Sequence, residues 1–314
     1  MSSPSYRASI LLLAYNQENF IRDAVNCALA QDAQDLEIIL SDDCSKDATF
    51  KIMQEMAEAY EGPHTIRLNR NRKNLGVNHH INHLVDIASA EVCIPFPADD
   101  TSVPHRASRL LEVMERDDAL LVHSDAATVD GDGNPAKPIH KYALFYKTTD
   151  PVKAAMSDSL FLGATSAYRR ELWRKYGPLP KYSKAFEDLI TGFRAALEDR
   201  ISYIDEPLVC YRQDVGISNV ANSRYRLDSM AASRKRRQQR FWARMTLFSQ
   251  RLKDARTFGL AEDHEIVKSL VAEVEKVQLR GDFYELPWYK YLIKYRRKGI
   301  KTMLSELNYI IKRK

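Results

Sequence analysis

The residues best suited to chemistry are Asp99 and Asp100, which close the stretch Val92-Cys93-Ile94-Pro95-Phe96-Pro97-Ala98-Asp99-Asp100-Thr101. An apolar run that stops at two carboxylates reads as a buried strand delivering two negative charges to one point. Neighbouring carboxylates repel each other and are costly to gather unless a cation holds them. Their hard oxygens suit Mg²⁺ or Mn²⁺, which take one or two protein carboxylates and leave the other positions to substrate phosphates and water. The competing reading is a strand-to-loop turn with two solvated aspartates. The surrounding elements decide between them.

The continuous apolar run 9–14 is as expected of a parallel strand buried on both faces, 36–40 and 66–68 read as a second and a short third strand, and 92–98 as the buried run that ends in the two aspartates. Between them, helical spacing of apolar residues covers about 20–29, 48–60 and 80–88, and a further amphipathic helix is expected at 106–116. Strand, polar loop and helix in repetition predict an α/β fold with a doubly wound, mostly parallel sheet and helices on both faces. Ligands of such sheets bind beyond the carboxyl ends of the strands. That rule gathers Tyr15-Asn16, Asp42-Asp43, the 72–74 loop ending in Asn74, and Asp99-Asp100 on one rim. Neither GxGxxG after the first strand nor GxxxxGK[ST] occurs, so dinucleotide and P-loop sites lack their glycines.

Further along, 119–123 reads as a strand and Asp130-Gly131-Asp132-Gly133-Asn134-Pro135 as a turn that lacks the flanks of a calcium loop. Residues 136–160 carry no readable pattern. The segment 162–172 looks like a small-residue strand and a helix start, with Gly163-Ala164 open to close approach by a ligand. Lys184-Ala185-Phe186-Glu187-Asp188-Leu189 opens a helix to about 198. Acids in a first turn suit the helix dipole, and they could equally place a general base in a cleft. Residues 201–212 read as extended chain, followed by Gln213-Asp214.

At 314 residues the chain can form one large α/β domain or two smaller ones, and its 45% hydrophobic and 28% charged residues are ordinary for a globular protein. Four separated cysteines without CxxC spacing predict free thiols in a reducing compartment. The first seven residues lack the apolar core of a signal peptide, and no run approaches the ~18 apolar residues of a membrane span. A cytoplasmic chain is expected. The net charge of +5 hides an asymmetry. Residues 1–220 carry 24 Lys and Arg against 32 Asp and Glu, whereas 221–314 carry 23 against 10. An acidic catalytic domain over 1–220 and a basic amphipathic helical extension over 221–314 follow as expectations. The extension, with Arg234-Lys235-Arg236-Arg237 among Phe241, Trp242, Met245 and Phe248, suits a solvated face, an anionic membrane surface or a contact between copies. Nucleic acid is the remaining reading, and the acidic body argues against it.

Several of these motifs together resemble the GT-A glycosyltransferases of the inverting family 2. They are Ala14-Tyr15-Asn16, Ser41-Asp42-Asp43-Cys44-Ser45-x-Asp47, Asn74-x-Gly76, Asp99-Asp100, and Glu187-Asp188, in the family's order over roughly 8–219. The resemblance implies a GT-A fold and transfer of a sugar from a nucleotide sugar, UDP- or dTDP-type, to a carbohydrate or lipid-linked acceptor. It implies a cofactor, Mn²⁺ or Mg²⁺, and a setting in surface polysaccharide assembly, at the inner face of the cytoplasmic membrane. Tyr15, Asn16, Asp42, Asp43, Asn74, Asp99 and Arg212 would bind the donor. Asp100, with Asp99, would hold the metal. Asp188, beside Glu187, would be the catalytic base. The family often has a His after a Tyr-Arg pair near the end of this domain; here Gln213-Asp214 follows Tyr211-Arg212, which makes Asp214 a candidate oxygen ligand. Leu13 stands where a hydroxyl residue is frequent, leaving only its backbone for the base. A nucleotidyltransferase on a related sheet is the alternative enzyme, but it needs a glycine-rich basic loop where Tyr15-Asn16-Gln17-Glu18 stands.

Overall fold

The computed structural model describes residues 6–131, 133–138, 140–181, 187–213, 215 and 230–311, with side chains in that last stretch described over 237–308. It divides into two compact units, Met1–Val220 and Ala221–Lys314.

The first unit is built on one eight-stranded sheet in the order β3-β2-β1-β4-β7-β6-β8-β5. Its strands are β1 (Ala8–Ala14), β2 (Leu36–Asp42), β3 (Thr65–Arg70), β4 (Val92–Pro97), β5 (Thr101–Ser102), β6 (Leu121–Val129), β7 (Ser166–Arg169) and β8 (Ile201–Arg212). Its helices are α1 (Ile21–Leu29), α2 (Thr49–Glu58), α3 (Val77–Ile87), α4 (Arg106–Arg116), α5 (Pro151–Met156), α6 (Glu171–Tyr176) and α7 (Glu187–Leu197). The half β3-β2-β1-β4 is parallel, with β1, β2 and β4 buried almost throughout and β3 a partly exposed edge, and parallel neighbours need helical crossovers. Beyond β4 the sheet is mixed. β7 runs antiparallel to β4 and β6, and β5 antiparallel to β8, while β6 and β8 pair in parallel through two register shifts near Asp125.

Register sets the site. Leu13 pairs with both Ser41 and Pro97, so β1, β2 and β4 end level and their following loops meet on one rim. α1 and α4 cover one side of this half, where Ala24, Val25, Leu110, Leu111 and Met114 join Ile10, Leu12 and Ile38 in the core.

The first-strand loop is tied to the loop after β2 by five hydrogen bonds. Asn16 N donates to Ser45 Oγ (2.8 Å), Gln17 N to Thr49 Oγ1 (2.8 Å) and Glu18 N to Asp47 Oδ2 (3.2 Å). In return, Lys46 N donates to Asn16 Oδ1 and Ala48 N to Glu18 Oε2, both at 2.9 Å. Glu18, through Ala48 N, and Asp47, whose Oδ1 accepts from Thr49 N (3.0 Å), place acceptors on the free N–H groups at the start of α2, where side-chain carboxylates are favoured.

α3 begins at Val77, a turn earlier than the apolar spacing predicts, because Gly76 caps it at φ 76. In that backbone region only glycine is unstrained, and Asp43 holds it there. The Asp43 carboxylate accepts from Asn71 Nδ2 (2.8 Å), Leu75 N (2.9 Å) and Gly76 N (2.9 Å).

The second unit consists of α8 (Met230–Phe258), α9 (Glu265–Glu285) and α10 (Trp288–Ile311). Phe248, Ile266, Val267, Leu270, Val277 and Tyr291 fill its interior. Glu306, fully buried, accepts from Arg237 Nε and Tyr284 Oη, both at 2.6 Å. Asp282 accepts from Lys294 Nζ and Tyr295 Oη at 2.6 Å.

Replacing Asp43 strips three donors of their acceptor in a buried setting, so Asp43→Ala should lower unfolding stability by roughly 3 kcal/mol. A shift of the urea midpoint at unchanged slope is the readout. A midpoint equal to that of the parent would mean that this carboxylate does not hold the 71–76 loop.

Candidate functional site

A cavity of about 410 Å³ opens over the level ends of β1, β2 and β4. Leu13, Ala14 and Tyr15 line it from the first strand, Asp43 from the second, Pro95, Pro97 and Asp99 from the fourth, and Asn74, Gly76, Val77 and His80 from the loop and helix after β3. The opposite wall is Phe161, Gly163, Ala164, Ser166 and Tyr168 with Glu187, Asp188 and Thr191 of α7. Chain segments about ninety residues apart in sequence thus bring Asp99 and the Glu187-Asp188 pair to one space.

The expected donor residues divide. Tyr15, Asp43, Asn74 and Asp99 face the cavity. Asn16 is exposed, and its side chain is engaged with the backbone N–H of Lys46. Asp42 is fully buried, accepting from Ser45 N (3.0 and 3.1 Å) and Arg70 Nε (3.2 Å). Both are therefore placed to shape the loops that carry Tyr15 and Asp43. Arg212 stands behind Asp99 and Asp100. Its backbone N–H donates to Asp100 Oδ1 (2.9 Å), its Nη1 donates to the Asp99 carbonyl (3.0 Å), and its guanidinium lies over the Phe20 ring. Asp214 and residues 182–186, with the expected helix start at Lys184, lie outside the described residues.

Electrostatics separates the acids by their partners. Asp100 is 4% exposed. Burial first, then the neighbouring Asp99 charge, pushes its carboxyl well above the usual range, against the pull of Arg212 and Arg106. Burial also raises Asp99, with Arg212 opposing. Arg106 is itself wholly buried, donating to the carbonyls of Pro95 (2.9 Å) and Ala164 (2.7 Å), and burial lowers its pKa to about 10, so it stays charged. The two arginines do not bring the aspartates back to an ordinary carboxylate pKa, which is the condition a bound divalent cation would relieve. Among the described residues no group of three His, Cys, Asp or Glu side chains could hold a metal ion. Asp99 and Asp100 alone fit the oxygen-poor protein share typical of Mg²⁺ or Mn²⁺ sites, in which phosphates and water complete the sphere.

On the far wall, burial and the Asp188 charge raise the Glu187 carboxyl from 4.5 to about 8. Its Oε2 is buried and meets no hydrogen-bond partner among the described residues. Near neutral pH Glu187 therefore holds a proton beside the Asp188 charge. Gly163 makes this placement possible. A Cβ there would stand 2.8 Å from Glu187 Oε1, so the group approaching that glycine is this carboxylate and not only a ligand.

Sequence reasoning missed His80, Phe161 and Tyr168. His80 Nε2 bonds Ser41 Oγ (2.5 Å), and burial lowers its pKa to about 4, which keeps it neutral. Tyr168 Oη is buried with no hydrogen-bond partner among the described residues, and burial raises its pKa well above 10. In sequence all three look like core residues. No spacing signal would have marked them.

The sheet, its level strand ends and the acidic cavity are those of a GT-A glycosyltransferase. Residues 9–177 match the model of glycosyl transferase family 2, and the chain belongs to that family. An uncharacterised glycosyltransferase from Nostoc sp. (strain PCC 7120) is 26% identical over 217 residues, covering 66% of this chain and 64% of that protein. The chain spans less than two thirds of the length of several curated relatives that it matches. Among solved structures, S. aureus TarS 1–349 in complex with UDP-GlcNAc superposes with a TM-score of 0.61 at 16% identity, covering 98% of this chain and 81% of that one. The mannosyltransferase PcManGT from Pyrobaculum calidifontis, in complex with GDP-Man and Mn²⁺, gives 0.56 at 18%, covering 89% and 72%. At these identities the likeness establishes the fold.

Two outcomes are expected. Gly163→Ala should displace the Glu187 carboxylate and lower turnover while leaving the thermal midpoint nearly in place; full activity would show that the contact is dispensable. Glu187 has a folded pKa (about 8) above its ordinary 4.5, so its stabilising contribution is complete below pH 4.5 and is lost as pH rises through 8. Melting curves across this window should fall more steeply for the parent than for Glu187→Gln. Parallel curves would place the proton elsewhere.

Proposed function

We propose that this enzyme is a metal-dependent inverting glycosyltransferase, taking a sugar from a nucleoside-diphosphate donor, UDP- or dTDP-type, to a hydroxyl of a carbohydrate or lipid-linked acceptor in surface-glycan assembly. The observation that carries the reading is one cavity lined by Asp99, with Asp100 beside it, and by Asp188 on the opposite wall. The nucleotides printed for the solved neighbours, UDP-GlcNAc and GDP-Man with Mn²⁺, support a nucleotide-sugar donor.

Tyr15 offers a ring face, and Asp43 and Asn74 offer oxygens, to the nucleoside. Asp43 is already held by two backbone N–H groups, which fixes its remaining lone pairs in place. Asp99 and Asp100 would hold Mn²⁺ or Mg²⁺, which supplies positive charge to the departing diphosphate. Asp188 accepts the proton of the acceptor hydroxyl as that oxygen attacks the anomeric carbon. One C–O bond forms, the bond to the diphosphate breaks on the opposite face, and the configuration inverts. Glu187, holding its proton, adds no second negative charge beside the base. Arg212 keeps the Asp99-Asp100 turn in shape through its two hydrogen bonds.

Loss of a general base costs roughly 10²- to 10⁴-fold in rate. Asp188→Asn should lower kcat by that range and leave the Kd for the donor within about twofold. Turnover at the parental rate would remove Asp188 from the role. Release of pyrophosphate from a nucleoside triphosphate and a sugar phosphate would instead establish a nucleotidyltransferase.

A further inference from the structure

Helix α10 exposes six apolar side chains: Trp288 (71%), Tyr289 (48%), Ile293 (75%), Ile300 (46%), Leu304 (60%) and Leu307 (41%). Six cationic ones are also exposed on it, namely Lys290, Lys294, Arg296, Arg297, Lys298 and Lys301. Its acid, Glu306, is turned inward and is fully buried against Arg237 and Tyr284. Lys294 is neutralised by Asp282, while the other five cations make no ion pair among the described residues. Ile300, Leu304 and Leu307 stand at i, i+4 and i+7, on one helix face. Tyr289 and Ile293, four apart, share a face of the segment before the non-helical backbone at Arg296.

We infer that α10 is a docking surface for an anionic lipid membrane, lying in the headgroup plane without crossing it. Three occupants compete for a surface that is both oily and cationic. Nucleic acid would engage the lysines and arginines but leave Ile293, Ile300, Leu304 and Leu307 unused. A second copy packed symmetrically would cover the hydrocarbon but bring like charges together. An anionic lipid surface satisfies both halves, with aliphatic side chains entering the acyl boundary, cations meeting headgroup phosphates, and Trp288 and Tyr289 suiting the interface. No helix among the described residues is long and apolar enough to cross a membrane, which leaves the in-plane arrangement. The inference does not rest on the reaction proposed above.

The test floats the full chain with phosphatidylcholine vesicles, with and without phosphatidylglycerol. The expected result is flotation with the anionic vesicles, weakened by high salt. Arg297→Gln/Lys301→Gln should weaken it roughly thirtyfold, at the usual contribution of a basic residue near a charged surface. Ile300→Ser/Leu304→Ser should abolish it. Both variants should retain the parental circular dichroism spectrum and thermal midpoint, because the four side chains are exposed. No flotation of the parent, equal flotation with both kinds of vesicle, or flotation that survives both double substitutions would overturn the inference. So would a dimer in solution that Ile300→Ser/Leu304→Ser dissociates, or salt-sensitive retention of nucleic acid in place of vesicles.

Discussion

Like charges held out of water on facing walls of one cavity are the constraint from which the rest of the first unit can be understood. Burial pushes Asp99, Asp100 and Glu187 toward the protonated form, and the charge of the adjacent acid pushes Asp100 and Glu187 further. A fold has no reason of stability to assemble such pairs, since desolvating a carboxylate without full compensation costs free energy. Asp42 and Asp43 make the contrast within the same rim. They too are adjacent and buried, yet between them they accept from Ser45, Arg70, Asn71, Leu75 and Gly76. Acids satisfied in this way hold structure; Asp99, Asp100 and Glu187, whose burial is not offset, are where the proposed substrate and cation would have something to add.

Much of the surrounding architecture serves to keep these pairs where they are. The common register of β1, β2 and β4 levels the rim. The hydrogen bonds between 16–18 and 45–49 lock its first two loops together. Arg106 joins β4 to the segment before β7 from beneath, through carbonyls of both. That segment carries Gly163, on which Glu187 rests. Disturbing one of these supports would reach the acids without touching a ligand, which is how a residue outside the cavity comes to matter for the chemistry inside it.

How legible this was depends on what each residue does. Helix α4 could be read to the residue and strand β4 to within about a residue of its end, because a strong amphipathic pattern and an apolar run leave little freedom. The antiparallel placement of β7 could not, since strand direction depends on distant pairing that local pattern does not record. Residues 136–160 contain two single-turn 3₁₀ helices and the six-residue α5, all shorter than the two helical turns over which a pattern could be counted. Motifs located the site but not the direction of its side chains. Asn16 and Asp42 sit in the right loops and face the scaffold, while Tyr168 and Phe161 sit in unmarked apolar segments and face the cavity. The oily half of α10 was likewise hidden, because alternation of Tyr, Leu and Ile with Lys and Arg does not say which apolar residues a neighbouring helix will cover.

The central claim is that Asp99 and Asp100 hold a divalent cation together with the diphosphate of the donor. Calorimetric titration of UDP and GDP into the protein tests it directly, with Mn²⁺ present and with a chelator in its place. The account predicts binding of a nucleoside diphosphate that needs Mn²⁺ and is lost in Asp99→Asn/Asp100→Asn. Equal binding with the chelator, or a double variant that binds like its parent in Mn²⁺, would contradict it.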